Sequence, residues 1–293
     1  MVLLGGPTCA GKTALALELA ERFDAEIVGA DSRQIYCGMP IGTAAPTDAE
    51  RARVPHHLVA FLPPAERYNA ARFARDASAA IVAIRARGKR AIVVGGTGFY
   101  LRALAGDVAL AAAHDEGLRA RLAREARTHP TEVLHAWLAS LDPQRARALA
   151  STDAYRIVRA LEIALAGPRD VEGETAVPTL RTLGLGAYKL VLDVPTAELD
   201  ARIEARTDAM LAAGIVEEAE RVGADAIAAD AVGYPQIFAY LAGFASHAEL
   251  RASLARATRR YAKRQRTWFR SEPGVTWSAP GDALARIRAD VGW

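Results

Sequence analysis

Three short turns carry the residue types that could do chemistry, and each follows an apolar run. The first is Gly6-Pro7-Thr8-Cys9-Ala10-Gly11-Lys12-Thr13. It fits GxxxxGK[ST] and lies between a strand-like Val2-Leu3-Leu4 and a helical pattern through Leu15, Leu17, Leu19 and Phe23. That context makes the motif a phosphate cradle. Glycines let successive N–H groups converge on phosphate oxygens, the helix N-terminus adds its dipole, Lys12 adds a full charge, and the Thr13 hydroxyl suits Mg²⁺. The motif names a phosphate, not a nucleotide. NTPases of this type add an Asp at the end of a second apolar strand. Here Ile92-Val93-Val94 runs instead into Gly95-Gly96-Thr97-Gly98.

The second turn, Asp31-Ser32-Arg33-Gln34, closes the apolar run Glu26–Gly29. In a parallel sheet the strand C-termini face the ligand crevice, so Asp31 is expected near the phosphate loop. There its carboxylate accepts a proton or binds Mg²⁺; a helix-capping role is the open alternative. The third turn is the Gly95–Gly98 segment, where Thr97 either donates to a phosphate oxygen or caps the next helix. The adjacent His56-His57 lacks metal-ligand spacing and reads as structural.

A fourth feature is a charge run. Residues 251–270 hold Arg251, Arg256, Arg259, Arg260, Lys263, Arg264, Arg266 and Arg270 without one acid. Leu250, Leu254, Tyr261 and Trp268 recur at helical spacing and predict one buried stripe. The remainder reads as a cationic surface with Trp268 and Phe269 at its end, suited to a phosphodiester backbone; a solvated helix face is the plainer alternative.

The elements that must hold these turns are short apolar strands at 2–4, 26–29, 91–94 and 188–192, with a weak fifth at 275–277. Alternating with helices, they predict an α/β fold with a parallel sheet covered on both faces. Between the third and fourth strands about 70 residues read as helix, through Leu118, Leu122, Val133, Leu134, Trp137, Leu138 and Leu141, interrupted at Asp142-Pro143 and Gly167-Pro168. This divides the chain into a core, first part (1–112), a helical insertion (113–183), and a core, second part (184–293). Residues 168–180 read as a loop, and the chain from Thr196 to about Ser271 reads as helical.

The chain has 293 residues, 51% hydrophobic and 24% charged, which predicts a packed core and excludes disorder. Net charge is +3 and pI about 9.0. The two cysteines, Cys9 and Cys37, form no CxxC pair and fit a reducing compartment. No apolar run reaches the roughly 18 residues a membrane span needs, and no signal-like segment precedes Val2. A cytoplasmic, monomeric protein without an obligate protein partner is expected.

Together these blocks resemble the tRNA dimethylallyltransferase (tRNA isopentenyltransferase) family. The resemblance runs through GPTCAGKT from Gly6, ADSRQIY from Ala30, PIGTAAPT from Pro40, PHHL from Pro55, VGGTGFYLRAL from Val94, YRIVRALEI from Tyr155, AVGYPQIFAYLAG from Ala231 and TRRYAKRQRTWFR from Thr258. It implies a P-loop kinase-like sheet whose loop, Gly6 to Thr13, binds the diphosphate of dimethylallyl diphosphate, with Mg²⁺ near Thr13. It implies that Asp31 is the general base for the exocyclic N6 amine of the adenosine directly 3′ of the anticodon. That amine attacks the allylic carbon and expels pyrophosphate. Thr97 then contacts the leaving group or the tRNA. The anticodon stem-loop is met by Asp31, Ser32, Arg33 and Gln34, by Arg119, by Tyr155, Arg156, Ile157, Val158 and Arg159, and by Asp230, Ala231, Val232, Gly233, Tyr234 and Pro235. The sequence departs from the family at Ala45, where Lys is usual, at Thr152, where Asn is common, at Asp230-Ala231, where Arg-Cys is frequent, and at Pro235, where a basic residue is frequent. Without a zinc-finger tail after Trp293, the short bacterial form is expected.

The chemistry is consistent with these residue types. A carboxylate helps a weakly nucleophilic amine as bond formation makes it acidic. Backbone amides, Lys12 and a metal ion stabilise the charge of departing pyrophosphate. Three rivals remain: an ATP-dependent P-loop kinase of a small molecule or nucleotide, an RNA-binding protein with a vestigial loop, and a prenyltransferase acting on free adenine nucleotides. The missing strand-end Asp opposes the first, intact Lys12, Thr13 and Asp31 the second, and the insertion and basic helix the third.

Overall fold

The computed structural model of the chain describes residues 1–108, 116–166 and 177–293. It contains two compact units, Met1–Val108 with Val177–Trp293, and Ala109–Ala176. In the first unit, strands β1 (Val2–Gly5), β2 (Ala25–Gly29), β3 (His56–His57), β4 (Arg90–Val94), β5 (Tyr188–Leu192) and β6 (Val275–Ser278) form one sheet in the order β3-β2-β4-β1-β5-β6. Every pairing is parallel.

Strand β3 has no counterpart among the five expected strands, because two residues are too few to show a period. The histidine pair builds this sheet edge. His57 Nε2 lies 2.7 Å from the buried Glu26 carboxylate, which Arg87 also grips at 2.6 Å. His56 Nδ1 lies 2.7 Å from the Val54 carbonyl oxygen, and burial pulls its pKa down.

Side chains alternate across the sheet as the pleat requires. Val2, Leu4, Ile27, Ile92, Leu190 and Leu192 face one core, with Leu15, Leu19, Leu199 and Ile203 from the helices Lys12–Arg22 and Thr196–Ala212. Leu3, Val28, Ala91, Val93 and Val191 face the other, with Phe73, Ile81, Leu101 and Phe269. Both faces are therefore covered, and each fully buried side chain of this size contributes about 1.5–3 kcal/mol. Polar turns are left at the C-terminal ends of β1, β2 and β4. The stretch after Thr196 is not one run of helix. It breaks into Thr196–Ala212, Ile215–Val222, a 3₁₀ turn Ile227–Asp230, Tyr234–Leu241 and His247–Arg270.

In the second unit, helices Glu116–Thr128, Thr131–Leu141, Pro143–Arg147 and Ala154–Ala166 close on Leu122, Leu134, Leu138, Ala146, Ile157 and Leu161. Asp142-Pro143 ends one helix and starts the next: the Asp142 carboxylate accepts from Arg145 N at 2.8 Å and Pro143 takes a first-turn position. The Gly167-Pro168 break and residues 168–176 of the expected loop lie outside the described residues.

Candidate active site

The turns after β1, β2 and β4 meet because β4 lies between β1 and β2. Only glycine allows so close an approach: a Cβ on Gly95 would stand 2.0 Å from the Ala30 carbonyl oxygen. Around these turns opens a cavity of about 650 Å³, lined by Thr8 to Thr13, Asp31 to Gln34, Arg202, Arg206 and Gln265 among others.

The phosphate loop is built by backbone conformation. Gly6, Cys9 and Gly11 have φ of 144°, 63° and 90°, which turns successive peptides so that N–H groups converge. Helix Lys12–Arg22 starts without a side-chain cap on its first-turn amides, the arrangement that suits an anion. Lys12 Nζ donates to the Gly6 and Pro7 carbonyls at 3.0 and 2.7 Å. Desolvation lowers its pKa to about 8, opposed by the charge of Asp31.

Two further cations meet the same loop. On helix Thr196–Ala212, Arg202 donates to the Cys9 carbonyl at 3.2 Å, and one turn on Arg206 donates to Thr8 Oγ1 at 3.0 Å. Sequence reasoning missed both. An i, i+4 arginine pair on an acid-containing helix resembles a solvated face, and nothing local ties it to a loop about 190 residues earlier.

The acceptor side is built by side-chain hydrogen bonds. Asp31 Oδ1 accepts from Arg33 N at 2.9 Å, which closes the turn on itself and caps no helix. Among the described residues Oδ2 has no hydrogen-bond partner. Thr97 makes no side-chain cap to its helix. Its Oγ1 accepts from Ser32 N at 2.9 Å and donates to Ser32 Oγ at 3.2 Å, so it holds the Asp31-Ser32 turn from behind and does not line the cavity. Gln34 donates to the Thr43 and Ala44 carbonyls at 3.2 and 2.9 Å, and Arg33 pairs with Asp230 at 2.8 Å. The segments 31–34 and 230–233 therefore share one wall.

Several expected contact residues point elsewhere. Tyr234 is wholly buried and donates to Glu218 at 2.7 Å, and Pro235 is exposed; Ala231 and Gly233 are buried but, with Asp230 and Val232, line the cavity. In the second unit Ile157 is core and Val158 packs against it. Helix packing claims those apolar side chains. Tyr155 is 81% exposed. Arg156 pairs with Asp153 at 3.0 Å, Arg159 with Glu162 at 2.7 Å, and Arg119 lies 4.0 Å from that same carboxylate.

The basic helix needs a larger correction. Its acids are supplied by neighbours in space. Arg251 pairs with Asp208 at 2.5 Å and Glu204 at 2.9 Å, Arg259 with Glu204 and with Asp200 at 3.4 Å, and Arg266 with Asp193 at 3.1 Å. Arg256, Arg260, Lys263, Arg264 and Arg270 are exposed without an ion pair among the described residues, so the cationic face is narrower than the run suggests. Phe269 is not at its exposed end but 2% exposed in the core, with Trp268 partly covered by Arg102, 4.5 Å from its ring.

Among the described residues no group of three or more His, Cys, Asp or Glu is arranged to hold a metal, and no helix is long and apolar enough to cross a membrane. Thr13 and Asp31 are oxygen donors on one cavity, a sparse set that suits Mg²⁺ arriving with phosphate and water rather than a protein cage.

Comparison with known proteins gives the lineage. The IPP transferase family profile matches residues 34–272, and an isopentenyl transferase profile matches residues 1–57. A tRNA dimethylallyltransferase of Anaeromyxobacter sp. is 47% identical over 98% of this chain and 97% of its own length. The crystal structure of a Bacillus halodurans tRNA isopentenylpyrophosphate transferase aligns with TM-score 0.71 and 33% identity, over 99% of this chain and 95% of that one. A eukaryotic dimethylallyltransferase, solved acting on tRNA, shares the fold at TM-score 0.76 and 23% identity, over 100% of this chain and 76% of that one. With a profile matched over most of its length and a relative at nearly half identity end to end, the chain belongs to the tRNA dimethylallyltransferase family of prenyl-transferring enzymes.

Proposed function

We propose that the enzyme transfers a dimethylallyl group from dimethylallyl diphosphate to N6 of the adenosine 3′-adjacent to the anticodon of tRNA, releasing pyrophosphate. The loop amides, Lys12, Arg202 and Arg206 hold the diphosphate and stabilise the charge that grows as the allylic C–O bond breaks. Asp31 Oδ2 accepts the N6 proton as the amine forms its bond to the allylic carbon. The target base leaves its stack to reach this cavity. Thr13 and Asp31 fit Mg²⁺ brought with the diphosphate, and the ion when bound neutralises phosphate charge. The exposed Arg256, Arg260, Lys263 and Arg264, together with Tyr155 and Arg156 of the insertion, are the proposed RNA contacts.

The observation that carries this reading is that a free carboxylate oxygen, on Asp31, lines the same cavity as a phosphate loop carrying three cations. A kinase would need a carboxylate at the end of β4, where Gly95 and Gly96 stand. The test offers labelled dimethylallyl diphosphate with Mg²⁺ to two acceptors, an unmodified tRNA whose anticodon is followed by adenosine, and AMP. Label in tRNA alone supports the reading. Label in AMP, at equal or higher efficiency, would replace it with a nucleotide prenyltransferase.

A further inference from the structure

The donor and acceptor sides of the cavity are physically joined by one side chain, Gln265. It lies on helix His247–Arg270, is 5% exposed, and uses both ends of its amide. Oε1 accepts from Thr8 N of the phosphate loop at 2.8 Å. Nε2 donates to the Gly96 carbonyl at 2.9 Å. An N–H on one side and a C=O on the other fix which end is which. A Cβ on Gly96 would stand 2.2 Å from Nε2, so residue 96 must be glycine for the contact to exist. Thr97 follows, and its hydroxyl holds Ser32 N at 2.9 Å, next to Asp31. One hydrogen-bonded line therefore runs from the phosphate loop through Gln265, Gly96 and Thr97 to the Asp31 turn.

We infer that Gln265 is a positioning residue that sets the distance between the bound diphosphate and the Asp31 carboxylate, and so between the allylic carbon and the attacking amine. This rests on the transfer reaction proposed above. Gln265 takes the Thr8 amide and Ala10 N donates to the Pro7 carbonyl at 3.3 Å, so the loop's other amides are the ones left for phosphate and Gln265, with both amide ends engaged, does not bind donor itself. Its loss removes the side-chain tie between the loop and the Gly96 turn and leaves only the backbone bonds at the strand ends, such as Gly95 N to Leu4 O at 3.1 Å, and small misplacement of reacting groups is costly. The effect falls on turnover rather than on the affinity of either substrate. The exposed neighbours Lys263 and Arg264 place the strut beneath the cationic face of the helix.

The variants are Gln265→Met, which keeps length and apolar bulk and removes both bonds, and Gln265→Glu, which keeps the acceptor and recovers the donor only when protonated. In Gln265→Met, kcat is expected to fall about 10- to 100-fold, with KM for donor and for tRNA within about threefold. In Gln265→Glu, the ratio of variant to wild-type kcat is expected to rise as pH falls from about 8 to about 6, because the protonated acid remakes both bonds. Amide exchange with inorganic pyrophosphate gives a readout that needs no turnover. Pyrophosphate is expected to protect both the loop and the Gly95–Thr97 turn in the wild type, but the loop alone in Gln265→Met. A folded Gln265→Met with wild-type kcat, a pH-independent Gln265→Glu ratio, or protection that still spreads to both turns would overturn the inference. A wild type that transfers no label yet shows the two-turn protection would instead overturn the reaction and leave the strut.

Discussion

The two halves of the cavity are made in opposite ways. The donor half is backbone: a contiguous loop with three left-handed or otherwise positive-φ residues, an uncapped helix start, and cations drawn to it from elsewhere. The acceptor half is side chains: Thr97 holds Ser32 from a turn far along the chain, Asp31 closes its own turn on Arg33 N, and Gln34 ties that turn to the Thr43 and Ala44 carbonyls. A backbone cradle binds any phosphate, whereas a hydrogen-bonded carboxylate turn aims one oxygen at one place. The difference separates binding of the diphosphate from choice of the reaction, and each half should fail in its own way.

The largest expected effect is on the acceptor half. Asp31→Ala should lower kcat about 10²–10⁴-fold, the usual range for a general base, while tRNA affinity measured by filter binding changes little. Equal loss of both would make Asp31 a binding residue and blur the two halves. On the donor half, Lys12→Ala should raise KM for dimethylallyl diphosphate about 10- to 100-fold, since a charge-assisted contact is worth about 1.5–3 kcal/mol; unchanged donor affinity would count against the diphosphate assignment. The same lysine sets a pH dependence. Its charged form binds the anion and its pKa is lowered to about 8 by desolvation. Donor kcat/KM should therefore be full below that pH and fall as pH rises through it, with kcat less affected because bound diphosphate keeps the lysine protonated. A flat alkaline limb in Lys12-intact enzyme would contradict this.

Much of the donor half was legible in the sequence because its parts are adjacent. GxxxxGK[ST] after an apolar run and before a helix is a local pattern, and the alternation of the five longer strands carried the parallel sheet with it. The acceptor half was only partly legible. Asp31 could be placed at a strand end, but that Thr97 braces Ser32 rather than capping its own helix depends on β2 and β4 being neighbours. Arg202, Arg206 and Gln265 were illegible for the same reason: their partners lie about 170 to 260 residues away in the chain. The basic helix was misread because a charge count along one helix cannot see Asp193, Asp200, Glu204 and Asp208 folding back against it.

Two smaller effects sharpen the contrast. Gly95→Ala places a Cβ against backbone that cannot give way, 2.0 Å from the Ala30 oxygen. It should cost about 1–3 kcal/mol of stability by chemical denaturation, as overpacking does, and a neutral result would mean that the two turns are looser than described. On the basic helix, the exposed Arg260 and the ion-paired Arg259 differ by one position. Arg260→Ala should reduce the salt slope of tRNA binding by about one, while Arg259→Ala should leave that slope alone and slightly lower stability. Identical slopes for both variants would return the cationic face to the full width of the charge run.

The central claim is that the loop holds a diphosphate which the reaction discards. Its most direct measurement follows dimethylallyl diphosphate carrying label in the hydrocarbon, with Mg²⁺ and tRNA and no ATP, counting label in tRNA and pyrophosphate in solution. One pyrophosphate released for each labelled adenosine is the predicted result. No transfer without ATP, and a phosphorylated acceptor with it, would contradict the account.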